Sequence, residues 1–432
     1  SKWIDTFFEK QPELGAAYYE IENKLLNVII DMERTGSLID LEFGEKYAQV
    51  LQDRLDRLAK NIRSYLGEGF EFTSPKQLLE KLKDMGILHE NANSVDAATL
   101  EGVKHKHEVI PMILEYRGLA KLLSTYIIPL PSLVRKDGRL MGQFNQHTTV
   151  TTRLSSDSPN LQNIPPEARN LFIAPEGKIL VGIDLSQIEP RYLSHISGDK
   201  DFQEPYLKGQ DLYSSLASKV FHLPIEECGD GTIPRKKMKV GLLAVMYGIS
   251  DFQLGQSLGI TTEEATQFMR DFMDRYPVTE QWIKDTWKMV EEQEYVPIFG
   301  GYKRRFPNFK KVAQKYHAMT KQYEKIVGHK INNIWEEKRL KYDQKRAYWD
   351  VAKQYHRVLR QAVNARIQGS CATILKLSML KIHEHLKTKG KDWKMLLTVH
   401  DEIIVEIPET AKPEEIQKLI DIMCNVVKLD VP

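Results

Sequence analysis

Two apolar stretches that each carry an aspartate to a strand end constrain this chain more than anything else in it. Residues 178–184 (KILVGID) are a short apolar run that stops on Asp184. Residues 395–407 (MLLTVHDEIIVEI) read as two apolar strands joined by a tight turn at His400–Asp401. Both patterns predict buried strands, and a carboxylate at the end of a buried strand is costly unless a cation compensates it. The two aspartates lie 217 positions apart, so only a fold that sets these strands side by side can pair them. Paired, they form a hard-oxygen site suited to Mg²⁺. Two such ions, about 3.5–4 Å apart, can activate an attacking hydroxyl and stabilise a leaving phosphate. Glu402, beside Asp401, is placed to assist from the edge. The plainer alternative is a pair of turn-forming aspartates, common in any sheet protein.

The rest of the chain gives these strands a helical setting. Residues 16–33 carry apolar positions at helical spacing, and Gly36 ends that helix. A long helical pattern runs from Leu41 to Leu66, Ser74–Pro75 opens another, and 107–128 reads as helix again. Short strands and turns occupy 139–183, helices return over 200–290, and 310–385 is almost continuously helical in pattern. A last helix covers roughly 412–427. The class is therefore α+β, a small mixed sheet between two large helical regions. At 432 residues the chain is long enough for two to four units of about 150 residues. No apolar run of about 18 residues predicts a membrane span, and the first residues lack a signal pattern. The three cysteines, Cys228, Cys371 and Cys424, have no metal-ligand spacing and read as reduced packing residues. An intracellular place is the expectation from the cysteine usage.

Two segments are unusually basic. Pro234–Gly248 starts with proline at a helix entrance, and Arg235, Lys239, Leu243 and Tyr247 recur every four residues. From Arg235 to Tyr247 the helix rises about 18 Å, roughly the length of an extended nucleoside triphosphate. Arg and Lys at the N-terminal half suit phosphates; Leu243 and Tyr247 suit sugar and base. A basic surface helix with Leu and Tyr in the core is the alternative. Residues 301–360 hold 17 Lys or Arg against 5 Asp or Glu, and ten aromatics, although the whole chain has a net charge of only +2. Such a mixture suits phosphates and stacked bases. It equally suits a solvated helical pair whose rings form its core.

Taken together, the motifs resemble family A DNA polymerases, the bacterial DNA polymerase I group with its phage and organellar relatives. Arg153–Ser156 with Pro159–Pro165 resembles the template-primer motif. Asp184–Arg191 (DLSQIEPR) resembles motif A. Arg235, Lys239 and Tyr247–Gly248 resemble motif B, and Val399–Glu402 (VHDE) resembles motif C. Arg360, Asn364 and Gln368–Gly369 resemble the stretch that touches the primer-template minor groove. The motifs span essentially the whole chain, in the family's order.

The resemblance implies a right hand of thumb, palm and fingers, its palm built on a small, mainly antiparallel sheet. It assigns 1–41 to a palm-associated segment, 42–131 to the thumb and 132–192 to the palm with motif A. Residues 193–356 become fingers with a basic helical insertion at about 310–356, and 357–432 the palm with motif C. Asp184 and Asp401, with Leu185 and Glu402, would hold two Mg²⁺ ions, Mn²⁺ being a substitute. Arg235 and Lys239 would bind the incoming triphosphate, Lys239 also as a catalytic cation. Gln187, Glu189, Tyr213, Leu243 and Tyr247 would complete the nucleotide site. Glu189 looks like the family's steric gate, which excludes a ribose 2′-hydroxyl. Arg153, Asn160, Asn163, Arg191, Arg360, Asn364, Gln368 and His400 would contact primer-template DNA, testing minor-groove geometry without reading sequence.

Departures from the family sharpen these expectations. Leu243 stands where a ring is usual, so slower incorporation and rejection of dideoxynucleotides are expected; a dideoxy/deoxy incorporation ratio near one would sink this. Leu185 replaces a common aromatic, Tyr213 a common His, and Thr152 a common Gly. The 310–356 stretch looks longer than in typical relatives and is expected to grip nucleic acid or to dock a replication partner. No proofreading site is expected in this chain; nuclease domains could lie upstream, and the C-terminus looks clipped. A monomer with no membrane contact is expected, acting in DNA replication or repair. The alternatives are a reverse transcriptase or single-subunit RNA polymerase, a two-metal nuclease, and an inactive DNA-binding scaffold.

Overall fold

The computed structural model describes residues 2–432. Local sequence chemistry explains its best-defined boundaries. The helix Leu41–Leu66 begins where the Asp40 carboxylate accepts a hydrogen bond from the Phe43 N–H at 2.9 Å, and ends at Gly67 with φ 116°. Leu51, Leu55, Ala59, Ile62 and Leu66 form its buried stripe, each large side chain contributing about 1.5–3 kcal/mol by leaving water. Ser74 occupies the N-cap of Pro75–Asp84, but its side chain makes no capping bond. The helix over Asn23–Thr35 stops at Gly36, whose φ of 65° an L side chain resists. It is preceded by a π-helical turn, Tyr18–Glu22.

The sheet carrying the two aspartates has three strands, with Glu402–Pro408 in the middle. Lys178–Asp184 lies on one side, in register from Asp184 opposite Glu402 to Lys178 opposite Pro408; Lys394–Val399 lies on the other. Every strand pairing among the described residues is antiparallel, so the sheet is not mixed. The first strand is also less buried than its apolar run implies. It is an edge strand; only Ile183 is fully buried, and Asp184 itself is exposed. The desolvation argument therefore applies to the Asp401 side of the pair, where the hairpin strands are buried nearly throughout.

Three large apolar cores follow the chain. One packs the aspartate-bearing sheet against Asn23–Thr35, the end of the longest helix and Pro413–Asn425. A second gathers the helices between Leu193 and Ile283, and a third fills the region from Ala59 to Ile113. The longest helix, Tyr342–Thr388, has 47 residues, about 70 Å at 1.5 Å per residue. It crosses from a small outer core (Tyr348, Ala352) through the second core (Val363, Ile367) to the sheet (Met379, Ile382).

The basic stretch is a helical hairpin, interrupted where continuous helix was expected. Phe309–Val327 ends at Gly328, φ 86°, and a loop with one 3₁₀ turn, Ile334–Glu336, leads into the long helix. The Arg339 guanidinium ties the loop down by donating to the Val327 carbonyl at 3.0 Å.

Candidate active site

The strand register brings Asp184 and Asp401 to the same end of the sheet, and the Leu185 N–H donates to the Asp401 carbonyl at 3.2 Å. His400 takes a left-handed conformation, φ 55°, which makes the turn tight enough for Asp401 to sit at the strand end. Burial raises the Asp401 carboxyl above its ordinary range; Arg153 opposes this, while Glu189 and Asp184 push the same way as burial. A nearby cation would favour the charged form of a carboxylate in such a place.

Four separate motif segments converge here. The Arg153 guanidinium lies 2.7 Å from the Glu189 carboxylate and 3.9 Å from Asp401. The second Glu189 oxygen accepts from the Tyr247 hydroxyl, at the end of the basic helix Ile233–Tyr247. Glu189 is 6% exposed, a buried charge made tolerable by both partners. Burial and then the Glu189 bond push the Tyr247 phenol well above its usual range, so it stays a donor. At Gly248 the helix turns left-handed, φ 64°, and an added Cβ would run into the Arg360 stem. The helix that carries Arg360, Asn364 and Gln368 is thus packed directly on the end of the basic helix. Thr152 joins the same assembly. It holds φ 59°, unusual for a β-branched residue, and its hydroxyl donates to the Gly369 carbonyl at 3.1 Å. That bond is a physical reason for a threonine in a position whose backbone favours glycine.

A cavity of about 220 Å³ opens beside this cluster, lined by Arg153, Asn160, Asn163, His400 and Asp401 among others. Asn160 also caps a 3₁₀ turn by accepting from the Gln162 N–H. The Asn364 side-chain oxygen is buried with no hydrogen-bond partner, and the Arg360 and Gln368 side chains make no hydrogen bond among the described residues. Burial lowers the Arg360 pKa. These polar groups have hydrogen-bonding capacity that the described residues do not use.

Other expected residues lie apart. Arg235 sits at the far end of its helix, paired with Asp211 at 2.9 Å and Asp230 at 2.9 Å, its guanidinium 5.7 Å over the Tyr213 ring. Lys239 is exposed and forms no ion pair among the described residues; Leu243 is half-buried. Gln187 begins the helix Ile188–Ser197 with φ 54° and accepts from the Tyr206 hydroxyl at 3.3 Å. Arg191 is not in the cavity with Arg153. It donates to the Ser186 and Pro432 carbonyls and stacks over Tyr206. Glu402 is held by Arg169 at 2.9 Å and folds over Gly182. Among the described residues no three His, Cys, Asp or Glu side chains lie close enough to hold a metal together. Glu402 thus lies beside Asp401 in sequence with its carboxylate engaged by Arg169.

Sequence reading had missed Asp211 and Asp230 as counter-charges for Arg235, and Arg169 as the partner of Glu402. Asp230, five positions before Arg235, could have been suspected; the Arg169–Glu402 pair spans 233 positions and leaves no local signal.

Residues 42–432 match the family model described as DNA polymerase family A. The thermostable DNA polymerase I of Thermus aquaticus is 33% identical over 98% of this chain and 48% of its own length. Its counterpart from Thermus thermophilus is 32% identical over 95% of this chain and 46% of its own. The chain thus spans about half the length of these relatives. Among solved structures, the polymerase domain of Pol1 from M. smegmatis, in complex with DNA primer-template and dNTP, superposes with a TM-score of 0.79 at 29% identity. That match covers 95% of this chain and 68% of the other. The chain belongs to DNA polymerase family A.

Proposed function

We propose that this chain is a template-directed DNA polymerase domain that adds deoxynucleoside triphosphates to a primer 3′-hydroxyl. The observation that carries the reading is the Arg153 guanidinium set between Glu189 and Asp401, with Tyr247 closing Glu189 from the other side. One contact unit thereby joins the template-primer loop, the sugar-facing carboxylate, the nucleotide helix and a metal-binding aspartate. Thumb, palm and fingers correspond in this reading to the boundaries expected from sequence.

Asp184 and Asp401 fit divalent ions: they are hard oxygen donors, and Asp401 sits among negative neighbours. Mg²⁺ commonly takes one or two carboxylates and completes its shell with water and substrate phosphates, so two aspartates and the Leu185 carbonyl are a sufficient protein share. When bound, such ions lower the pKa of the attacking hydroxyl and neutralise charge on the leaving pyrophosphate. Everything else falls to the chain. Arg235 and Lys239, about 18 and 12 Å along the helix from Tyr247, bind the triphosphate once Arg235 exchanges its aspartates for phosphate. The Glu189–Tyr247 pair closes the space that a ribose 2′-hydroxyl needs. Asn160, Asn163 and His400 line the primer side, and Asn364 and Gln368 test the minor groove. The work is positioning and charge stabilisation.

The alternatives diverge in one primer-extension assay with Mg²⁺, run on DNA and RNA templates with dNTPs and NTPs. Extension with dNTPs on DNA is expected, and its absence would overturn the reading. Extension on RNA would favour the reverse-transcriptase alternative. A cleaved primer with no extension would favour a nuclease. Monomeric state, a place with the genome, and a role in replication or repair belong to the same proposal.

A further inference from the structure

The ten aromatics of residues 301–360 divide into two groups. Seven are used inside the protein. Phe306, Phe309, Tyr323, Tyr348 and Tyr355 are buried, Tyr316 stacks on Tyr355 with ring centroids 4.1 Å apart, and the Tyr302 hydroxyl donates to Glu22. Three are not: Trp335, Tyr342 and Trp349 are 40, 66 and 47% exposed. Trp335 lies between the other two, its ring centroid 5.9 Å from that of Tyr342 and 6.2 Å from that of Trp349. A packing role explains the seven and leaves the three without one.

Their placement follows from helix geometry. Tyr342 and Trp349 are seven positions apart on the long helix, hence on one face, and Lys345 and Arg346 lie between them on that face. Lys353 continues the line one turn beyond Trp349. Trp335 is brought over from the loop, where the Lys345 ammonium donates to its carbonyl at 2.9 Å.

The charge around the triad is unbalanced in a specific way. Of the 17 Lys and Arg in this stretch, only Lys303 forms an ion pair, with Glu13 at 3.7 Å, among the described residues. The acids nearby are mostly occupied in holding the loop: Glu324 accepts from the Ile331 N–H, Glu336 from the Asn333 amide, and Glu337 pairs with His329. Asp343 and Asp350 flank the triad but neutralise neither Arg346 nor Lys353. The result is three open rings in an uncompensated positive field, the combination that binds single-stranded nucleic acid by stacking bases and tracking phosphates.

The long helix also places the rings relative to the nucleotide helix. Starting near the catalytic carboxylates, it passes Gln368 and Asn364, then Arg360 against Gly248 at the end of the nucleotide helix. It then continues about 17 Å to Trp349 and about 27 Å to Tyr342. Along this helix the order is therefore Gln368, Asn364, Arg360 beside the nucleotide helix, and then Trp349 and Tyr342. We propose that Trp335, Tyr342 and Trp349, with Arg346 and Lys353, form a stacking platform for the uncopied single-stranded template. This rests on the polymerase reading above and adds a ligand to it.

The test uses the whole chain and fluorescently labelled primer-templates. One has a template overhang too short to reach the triad, and one an overhang that spans the 27 Å or so to it. The variant is Trp335→Ala/Tyr342→Ala/Trp349→Ala. Wild type is expected to bind the long overhang more tightly than the short one, and the variant to lose about tenfold on the long overhang alone. Equal affinities of wild type and variant on both substrates would overturn the proposal. So would a loss seen only when a downstream displaced strand is added, which would make that strand the occupant. Quenching of the wild-type tryptophan fluorescence by the long overhang, absent with the short one, gives a readout that does not depend on the variant folding. The short-overhang substrate keeps the two readings apart. If wild type extends it and the rings prove idle, only the platform fails; if wild type extends neither substrate, the polymerase reading fails.

Discussion

The cleft around Asp401 and the basic hairpin differ in how they handle charge. In the cleft most charged groups have a partner: Arg153 serves Glu189 and Asp401, Tyr247 serves Glu189, Arg169 serves Glu402. In the hairpin almost none does. Short paired contacts in a partly buried site are specific and weakly screened, whereas unpaired surface charge acts over about a Debye length and fades with salt. The first arrangement suits chemistry at fixed atoms; the second suits holding a polyanion in many registers.

The strongest way to break the comparison is at Asp401 itself. Asp401→Asn removes one negative charge from a half-buried group with Glu189 and Asp184 close by. Primer extension is expected to fall on the order of 10³-fold or more, while thermal stability holds or rises, because function and stability conflict at such sites. A calorimetric or CD melt alongside the extension assay checks both. A drop in melting temperature of several degrees would mean that the carboxylate is structural.

The hairpin should respond in the opposite manner. Replacing Lys315, Lys321 and Lys325 by Ala removes charges that have no ion-pair partner among the described residues, so folding should be unaffected. DNA affinity should weaken by roughly tenfold near physiological salt, and the slope of log affinity against log salt should shrink by up to about 3. Affinity measured across a salt series decides. Unchanged DNA binding with a lost protein contact would favour the docking alternative for 310–356.

A smaller effect sharpens the cleft side. Tyr247→Phe keeps the ring and deletes the hydroxyl that holds one Glu189 oxygen. Glu189 then keeps Arg153 but can move. Discrimination against ribonucleotides is expected to fall about tenfold, the size of one lost hydrogen bond to a charge. Single-nucleotide incorporation of matched dNTP and NTP measures it.

The comparison also explains what was legible in the sequence. Asp184, Asp401 and Arg235 announce themselves because local pattern places them: a strand end, a hairpin turn, the start of a helix. The Leu41–Leu66 helix is legible to the residue because capping and periodicity are local too. What local pattern could not supply was burial and pairing over distance. An apolar run such as KILVGID reads as buried, yet it became an edge strand because nothing pairs on its outer side. Glu402 sits next to Asp401, but its carboxylate is taken up by the distant Arg169. In the hairpin, composition alone left ten rings undivided between core and surface; only the fold separates Tyr348, buried, from Trp349, its neighbour in sequence.

Arg235 stands between the two regimes, and the last prediction concerns it. It is paired like a cleft residue, but one partner, Asp230, is 92% exposed on its side chain, while Asp211 is 35% exposed and also caps the helix Leu212–Phe221. In the function proposed above, triphosphate displaces these carboxylates before it uses the guanidinium. Asp230→Ala removes the outer competitor and leaves the cap and the Tyr213 contact intact. The KM for dNTP should fall by about twofold, in keeping with the small worth of exposed pairs, with kcat unchanged because no group at the reacting atoms is touched. Steady-state kinetics at low and high salt test this: the gain should shrink as salt rises and screens Asp230 in the wild type. A gain that persists at high salt would mean that Asp230 holds Arg235 by geometry and not by charge, and would move Arg235 fully to the cleft side of the comparison.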